Sequence, residues 1–303
     1  MISVVMGVYN ESISELELSI DSILNQTIKD FEFIIVNDNP DNSVLKNFLN
    51  RKKMEDNRIR IIENESNIGL SRSLNKGIDS SKFDIIARMD ADDISHDTRF
   101  QFELNTMIEE DADVVFTKCC FVNENGLKIG ESRKFPKKER LIKALEYKNI
   151  IPHPTVMLKK KAVMELGGYS EIPVVEDYDL WLRMIRSGKV FVPINKVLLD
   201  YRVRSNSMTN SNYFKTYVAD RLIKKHYKKQ YSSKLTAEIF IEYYNKMEYI
   251  YNVEKFNTKY RKYVEYMNSK NFLDKFKLIW LIIFFPNIYA VIWNTLNASR
   301  NRL

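Results

Sequence analysis

The chain has 303 residues, of which 45% are hydrophobic and 29% charged, the balance of an ordinary globular protein. Its two cysteines, Cys119 and Cys120, are adjacent, which argues against a disulfide framework or a zinc site and indicates a reducing compartment. The net charge of +7 is uneven, because residues 213–303 hold 17 Lys and Arg against 7 Asp and Glu. This asymmetry indicates an anionic partner for the C-terminal third, such as a membrane surface or nucleic acid.

Over the first 122 residues, short apolar runs of strand length alternate with segments in which apolar residues recur at helical spacing. The start, MISVVMGVYN, has no basic segment and no cleavage site, so we expect a first strand and not a signal peptide. The predicted strands are ISVVMGV, FEFIIVN, RIRIIE, FDIIARM and DVVFTKCCFV. The predicted helices between them cover residues 16–24, 41–53, 70–78 and 97–109. Such alternation predicts a largely parallel sheet, which binds ligands beyond the carboxyl ends of its strands.

The pattern loosens after residue 122. NENG is a turn, HPTVMLKK and KVLLDYRVR are short predicted strands, and EDYDLWLRMIRS is an amphipathic helix. From residue 213 onward tyrosine and lysine dominate, and the spacing predicts several helices. The run from Leu278 to Ser299 carries no charge.

Three acidic residues crowd the end of the fourth predicted strand, in the stretch FDIIARMDADDIS. Asp90, Asp92 and Asp93 repel one another by about 1 kcal/mol a pair even in water, so we expect a cation between them. On an extended chain Asp90 and Asp92 face the same side, roughly 6–7 Å apart, which suits a divalent cation such as Mg²⁺. The alternative is a helix N-terminus with Asp93 as its cap.

Six ordered segments resemble the family 2 glycosyltransferases of the GT-A type, which are inverting, nucleotide-sugar-dependent enzymes. They are VVMGVYNE, FIIVNDNPDN, NIGLSRSLNKGI, MDADD, GGYSE followed by EDYDLWLRM, and LLDYRVRSNSMT. The resemblance spans residues 2 to about 206. It implies an α/β fold with a GT-A-type, Rossmann-like nucleotide-sugar-binding domain and a mixed, mainly parallel sheet. The composition from residue 213 onward adds an α-helical C-terminal region to this fold class.

The resemblance also assigns residues to the nucleotide sugar and to a metal. The nucleotide-sugar set is Tyr9, Asn10, Glu11, Asp38, Arg72, Asp90, Ala91 and Asp92. Asp92 and Asp90 would hold Mn²⁺ or Mg²⁺ against the diphosphate. Asp38 would accept a hydrogen bond from the base. Each assignment has a plainer alternative: an Asx turn for Asp38, a core position for Tyr9 and a surface position for Arg72.

A second set is assigned to catalysis and to the acceptor. Asp177 is the expected general base, because inverting transfer needs a carboxylate opposite the leaving group. The alternative is an acidic residue that favours the helix N-terminus. Weaker candidates for the acceptor or the diphosphate are His153, Glu176, Arg202 and Arg204. Many relatives end in Tyr-Arg-x-His, and Arg204 stands here in place of that histidine; it cannot ligate a cation, but it could bind diphosphate.

The sequence therefore predicts two regions: a GT-A domain over residues 1–206 and a basic, Tyr-rich helical region over residues 207–303. Segment 276–296 is expected to lie on the inner face of the cell membrane, with a buried core helix as the alternative. A nucleic-acid role lacks any supporting fold signal.

The expected function is transfer of a sugar, from UDP in our prediction, to a glycan or lipid-linked acceptor in surface polysaccharide synthesis. We therefore expect a cytoplasmic enzyme, bound peripherally to the membrane. The alternative is a non-catalytic nucleotide-sugar-binding subunit of a membrane-associated glycan assembly complex. A dinucleotide-dependent oxidoreductase is excluded, since GVYNES and not Gly-x-Gly-x-x-Gly follows the first strand.

Overall fold

A mixed β-sheet forms the centre of the molecule. The computed structural model describes residues 1–204, 213–229 and 234–268. The strands are β1 (Ile2–Val8), β2 (Phe31–Asn37), β3 (Ile59–Glu63), β4 (Ile85–Met89), β5 (Ile94–Ser95), β6 (Val114–Val122), β7 (Lys128–Glu131), β8 (Val156–Lys159) and β9 (Phe191–Arg202). They follow the order β3-β2-β1-β4-β8-β6-β9-β5, and β7 pairs with β6.

The first four large strands are parallel, as the alternating pattern predicts. In this part β1 lies between β2 and β4, with Val8 opposite Asn37 and Met6 opposite Met89. The second half of the sheet is different, because β8 runs antiparallel to both β4 and β6 and separates them. The polar residues that follow β1, β2 and β4 therefore leave the sheet at one edge.

Ten helices are described. They are α1 (Ile13–Leu24), α2 (Ser43–Glu55), α3 (Leu70–Asp79), α4 (Arg99–Glu109), α5 (Lys138–Tyr147), α6 (Lys160–Met164), α7 (Glu176–Arg186), α8 (Tyr213–Lys228), α9 (Ala237–Ile250) and α10 (Val253–Asn268). A short 3-10 turn at His153–Thr155 precedes β8. Polar side chains fix the starts of α1 and α2: the hydroxyl of Ser12 accepts from the Glu15 N–H, and Asn42 accepts from the Leu45 N–H.

The sheet buries both faces. Along β1, Ile2, Val4 and Met6 pack into the core shared with α1, α2 and α4, while Val5 points to the core on the other side. Full burial of each such side chain stabilises the fold by about 1.5–3 kcal/mol. Two-sided burial explains why β1 and β2 are continuous apolar runs in the sequence.

The C-terminal helices pack on the same core as α7. Phe214 of α8 and Phe256 of α10 have ring centroids 5.2 Å apart, and Tyr217 lies 5.0 Å from Phe256. These rings join one buried cluster with Tyr178 and Trp181 of α7. The predicted boundary between residues 206 and 207 lies outside the described residues.

Two further predictions concern the cysteines and the membrane. Cys119 and Cys120 are both buried and unbridged in β6, as their adjacency predicts. In the part of the chain that the structure describes, no helix is long and apolar enough to cross a bilayer. Segment 276–296, predicted to associate with the membrane, lies outside that part.

Candidate active site

Residues from three parallel strand ends meet at one edge of the sheet. The Asp38 N–H donates to the Val8 carbonyl at 2.8 Å, and the Asn39 side chain donates to the Tyr9 carbonyl at 2.9 Å. Parallel register brings the turn after β4 to the same edge. This edge is where an α/β sheet binds its ligands.

The residues after β1 form the exposed rim of this edge. Tyr9 is 47% exposed and so is not a core residue, and Asn10 is exposed as well. The Glu11 carboxylate accepts from the Tyr9 N–H at 2.8 Å. Burial, with a smaller contribution from nearby Asp90, raises the pKa of Glu11 against the effect of this hydrogen bond. The rim therefore offers an aromatic ring and polar atoms to a ligand.

Asp38 joins the end of β2 to the start of α3. One carboxylate oxygen accepts from the Asn64 side chain and the Ile68 N–H, both at 2.8 Å, and the other accepts from the Gly69 N–H at 2.9 Å. Gly69 is the helix cap and has a positive φ of 85°, which glycine adopts without strain. The Asx turn belongs instead to Asn37, whose side chain accepts from the Asn39 N–H. Contact between Asp38 and a base stays a prediction.

Arg72 lies in the first turn of α3, and its side chain extends toward Glu171. Its guanidinium forms an ion pair of 2.6 Å with Glu171, and the side chain remains 55% exposed. The pair lowers the pKa of Glu171. The structure thus places Arg72 on the surface between α3 and the loop before α7, where nucleotide contact stays a prediction.

The acidic residues after β4 form a turn and not an extended chain. Asp90 forms an ion pair with Arg88, and its carbonyl accepts from the Ser19 hydroxyl at 2.9 Å. Ala91 is buried at the centre of the turn. Burial and the nearby Asp90 raise the pKa of Asp92 to about 6, although Arg204 opposes the shift from 3.0 Å.

Asp93 does not cap a helix, so that alternative is wrong. Its carboxylate is buried and accepts from the Arg202 backbone N–H at 2.8 Å, while β5 separates it from α4. Burial and the charges of Asp90 and Asp92 raise its pKa well above the usual range. Asp93 therefore joins the acidic turn to β9.

The two arginines at the end of β9 have different surroundings. Arg202 is buried, and its guanidinium donates to the carbonyls of Asp92 at 3.0 Å and Glu124 at 2.7 Å. Arg204 is partly exposed and forms ion pairs of 3.0 Å with both Asp92 and Glu15. Arg202 thus holds the loops together, whereas Arg204 lies beside the acidic turn, where contact with a diphosphate stays a prediction.

Asp177 lies in the first turn of α7, at the helix start that the sequence predicts. One carboxylate oxygen accepts from the Asn149 side chain at 2.8 Å, and the other accepts from the Tyr178 N–H at 2.6 Å. Burial raises the pKa of Asp177 to about 6, and it raises that of neighbouring Glu176 to about 8. A carboxylate whose pKa is close to neutral is suited to accept a proton.

His153 belongs to the 3-10 turn before β8 and contacts Tyr169 and Trp181. Its Nε2 lies 2.8 Å from the Tyr169 hydroxyl, and its ring contacts Trp181. Burial, aided by the Arg88 charge, lowers the pKa of His153 well below the usual range. These contacts favour a structural histidine; a role toward the acceptor stays a prediction.

Arg88 is the central residue that the sequence analysis missed. It is 2% exposed, and its charge acts on Asp90, Asp93, Glu176 and Asp177. Its Nε has no hydrogen-bond partner within the described residues. The available signal was a charged residue within a buried strand, two positions before an aspartate.

The acidic residues of the described chain do not form a metal site by themselves. No group of three or more His, Cys, Asp or Glu side chains could hold a metal in the described ranges 1–204, 213–229 and 234–268. Asp90 and Asp92 nevertheless provide two carboxylates, and Mg²⁺ is commonly held by one or two carboxylates together with substrate phosphates. These two carboxylates are compatible with a cation held jointly with a substrate phosphate, and metal binding by Asp90 and Asp92 stays a prediction.

Helices on both faces of a mixed sheet, with an acidic turn after a central parallel strand, define a GT-A-type glycosyltransferase. The sequence profile of Glycosyl transferase family 2 matches residues 3–167. The chain therefore belongs to glycosyltransferase family 2 and is a transferase, which confirms the predicted family, fold class and enzyme class.

Relatives and solved structures agree with this assignment. The O-antigen biosynthesis glycosyltransferase WbnJ of Escherichia coli is 38% identical over 214 residues, or 70% of this chain and 83% of its own. The UDP-Gal:alpha-D-GlcNAc-diphosphoundecaprenol beta-1,3-galactosyltransferase of Escherichia coli is 30% identical over 204 residues, or 66% and 73%.

One of the similar solved structures is S. aureus TarS 1–349 in complex with UDP-GlcNAc. It has a TM-score of 0.58 at 18% identity, so it supports the fold alone. The alignment covers 73% of this chain and 65% of that chain, so this chain spans slightly less than two thirds of the TarS fragment.

Proposed function

We propose that the protein is an inverting glycosyltransferase that moves a sugar from a UDP-sugar to a hydroxyl of a glycan or lipid-linked acceptor in surface polysaccharide synthesis. The observation that best supports this proposal concerns the buried Arg88. It forms an ion pair with Asp90 of the acidic turn, and its charge also lowers the pKa of Asp177 of α7. The two acidic groups therefore lie along one site, as a donor diphosphate and an opposed base require. The names of the relatives, which concern O-antigen and a diphosphoundecaprenol-linked sugar, support the acceptor class.

Asp177 is the proposed base. Its carboxylate takes the proton of the acceptor hydroxyl while that oxygen bonds to the anomeric carbon. The bond from this carbon to the diphosphate oxygen breaks, and UDP leaves with the electron pair. Attack opposite the leaving group inverts the anomeric configuration.

The donor would lie along the sheet edge. Tyr9, Asn10 and Glu11 line the nucleoside side in this proposal, with Asp38 and Arg72 beyond them. Arg204 approaches the diphosphate oxygens from the end of β9. Asp90 and Asp92 would hold Mn²⁺ or Mg²⁺, which when bound neutralises charge on the leaving diphosphate.

We propose that the protein acts at the inner face of the cell membrane. The proposed domains are residues 1–206 and 207–303. A lipid-linked acceptor would be presented at this surface, and the basic balance of residues 213–303 suits anionic lipid. Segment 276–296 is the proposed contact with the bilayer.

A thermal-shift screen tests the donor and the cation together. We expect UDP-sugars, and not GDP- or dTDP-sugars, to raise the melting temperature, and Mn²⁺ or Mg²⁺ to increase the shift, because a ligand stabilises the state that binds it. Equal shifts with every nucleotide would reject UDP. A UDP shift that chelation leaves unchanged would reject the metal.

Variants of α7 test the base. Asp177→Asn should reduce transfer by about 10²–10⁴-fold while leaving the UDP-induced shift intact. Asp111→Asn is the control for the same chemical change, since Asp111 is exposed and pairs with Lys159 on the surface at 2.8 Å. Full transfer by Asp177→Asn would reject the assignment.

A further inference from the structure

Asn149 lies between α5 and the 3-10 turn, and its side chain contacts the carboxylate of Asp177 in the first turn of α7. Its Nδ2 donates to Asp177 at 2.8 Å. Its Oδ1 accepts from the Ile151 N–H at 3.2 Å. Because a backbone N–H can only donate, this second bond fixes which end of the carboxamide is the oxygen and turns the NH₂ group toward Asp177.

The segment that carries Asn149 is held firmly. Ile150 and Ile151 are both buried in the core that also contains Trp181 of α7. These two buried residues directly after Asn149 restrict the positions that its side chain can take. Asn149 is thus aimed by a rigid turn and not by a flexible surface loop.

We propose that Asn149 is a positioning residue that holds Asp177 in the orientation and ionised state required of a base. This inference rests on the proposed function, since it presumes that Asp177 takes a proton. The Tyr178 N–H occupies one carboxylate oxygen from within α7. Asn149 binds the other from outside the helix and leaves each oxygen with lone pairs for the acceptor hydroxyl.

A hydrogen bond donated to a carboxylate favours its charged form. At Asp177 this bond opposes burial, which raises the pKa. The charged groups that act from other elements are Arg88, which lowers the pKa of Asp177, and Asp90, which raises it.

The remaining neighbours of Asp177 lie on and behind its own helix. Glu176 and Tyr169 interact with its charge. On the far side of α7, Asp220 of α8 acts on Tyr178, and Lys224 lies 5.6 Å from that ring. Loss of Asn149 removes a stabilising donor while these groups remain, so the pKa must rise.

The test measures the titration of Asp177 directly in the full-length protein. Carboxyl carbons of aspartate are labelled with ¹³C, and Asp177 is assigned as the signal lost in Asp177→Asn. Asn149→Ala should raise the midpoint of this signal by about one pH unit. Asn149→Asp should raise it further, because a second carboxylate then faces the first.

Asn75→Ala is the matched control. Asn75 also uses both ends of its carboxamide, accepting from the Tyr169 N–H at 2.8 Å and donating to the Tyr169 carbonyl at 2.9 Å. Its loss should lower stability and leave the Asp177 midpoint in place. An unchanged midpoint in Asn149→Ala would overturn the positioning role, as would an equal rise in Asn75→Ala.

A second measurement separates this inference from the proposed function. Release of UDP from UDP-GlcNAc and UDP-galactose, with water as acceptor, is followed from pH 5 to pH 9. Asn149→Ala should lose about tenfold at low pH and recover toward wild type at high pH. Undiminished release by Asp177→Asn would overturn the proposed function, whereas a wild-type profile of Asn149→Ala beside an inactive Asp177→Asn would overturn the positioning role alone.

Discussion

Arg88 and Asp90 form an ion pair at the end of β4, with the guanidinium 3% exposed and the carboxylate 29% exposed. A buried cation thus supports the first residue of the acidic turn from below. Removing one member of such a pair leaves the other charge uncompensated, which costs more than the pair itself contributes.

We expect Arg88→Met to destabilise the protein by about 3 kcal/mol, measured by urea denaturation. Arg88→Lys should recover part of this loss because the charge is kept. The control is Arg51→Met, which breaks exposed ion pairs with Glu17 of α1 and Glu55 of α2 and should cost less than about 0.5 kcal/mol. Equal stability of Arg88→Met and wild type would show that the pair contributes nothing.

Asp38 has two competing roles that one variant separates. Asp38→Ala removes three hydrogen bonds at the start of α3, so we expect a loss of about 3 kcal/mol in the free energy of unfolding. Asp41→Ala is the control in the same turn, where the side chain is exposed. Should Asp38→Ala weaken UDP binding and leave stability unchanged, contact with the base, and not the hydrogen bonds near the start of α3, would explain this residue.

Glu103 predicts an unusual dependence of stability on pH. It is fully buried beside Arg99, and burial raises its pKa from 4.5 to about 8. Between these two values the folded protein binds more protons than the unfolded chain, so stability falls as the pH rises from about 4.5 to 8. Each unit of pKa difference corresponds to about 1.4 kcal/mol.

Glu103→Gln should remove the contribution of Glu103 to this pH dependence of stability. We expect the variant to match wild type near pH 5 and to be more stable near pH 9, by denaturation at both values. Arg99 keeps its hydrogen bonds to the carbonyls of Pro154 and Arg88 in the variant. A variant that is less stable than wild type at pH 9 would mean that Glu103 is ionised and held by Arg99.

Gly168 directly precedes Tyr169, whose backbone is bonded to Asn75, and has a φ of 75°. A Cβ at this position would collide with the Asn75 carboxamide. Gly168→Ala should therefore cost well over the ~1 kcal/mol expected for an alanine at positive φ. Gly188→Ala is the control, because its φ is 70° and a Cβ there meets nothing within 4 Å.

The double variant Gly168→Ala/Asn75→Ala isolates the collision. Relief of part of the destabilisation would show that the carboxamide is the obstacle. If both glycine variants lose the same stability, the backbone conformation alone is responsible.

The parallel half of the fold was readable in the sequence for a simple reason. Strands such as β1 and β2 are buried on both faces, so each appears as an unbroken apolar run with polar residues at its end. The acidic turn and Asp177 follow from the same logic, because each stands at the boundary of an element. The order of β4, β8 and β6 was not readable, since a four-residue strand carries no mark of its partners.

Residues that act through tertiary contacts were the ones missed or misread. Asp93 looked like a helix cap, but its partner is the backbone of Arg202, more than a hundred positions away. Arg88 and Asn149 carry no motif of their own. Their importance comes from carboxylates that the fold brings to them.

The helix that carries Asp177 is braced from behind by residues far along the chain. Arg186 donates to the Tyr227 carbonyl at 2.6 Å, and Lys224 lies over the Tyr178 ring. A fragment that ends after β9 would expose the apolar surface of α7 that the C-terminal helices cover. We therefore expect this fragment to be insoluble and inactive. A partner that binds α8–α10 and shifts them would accordingly act on the helix that carries Asp177.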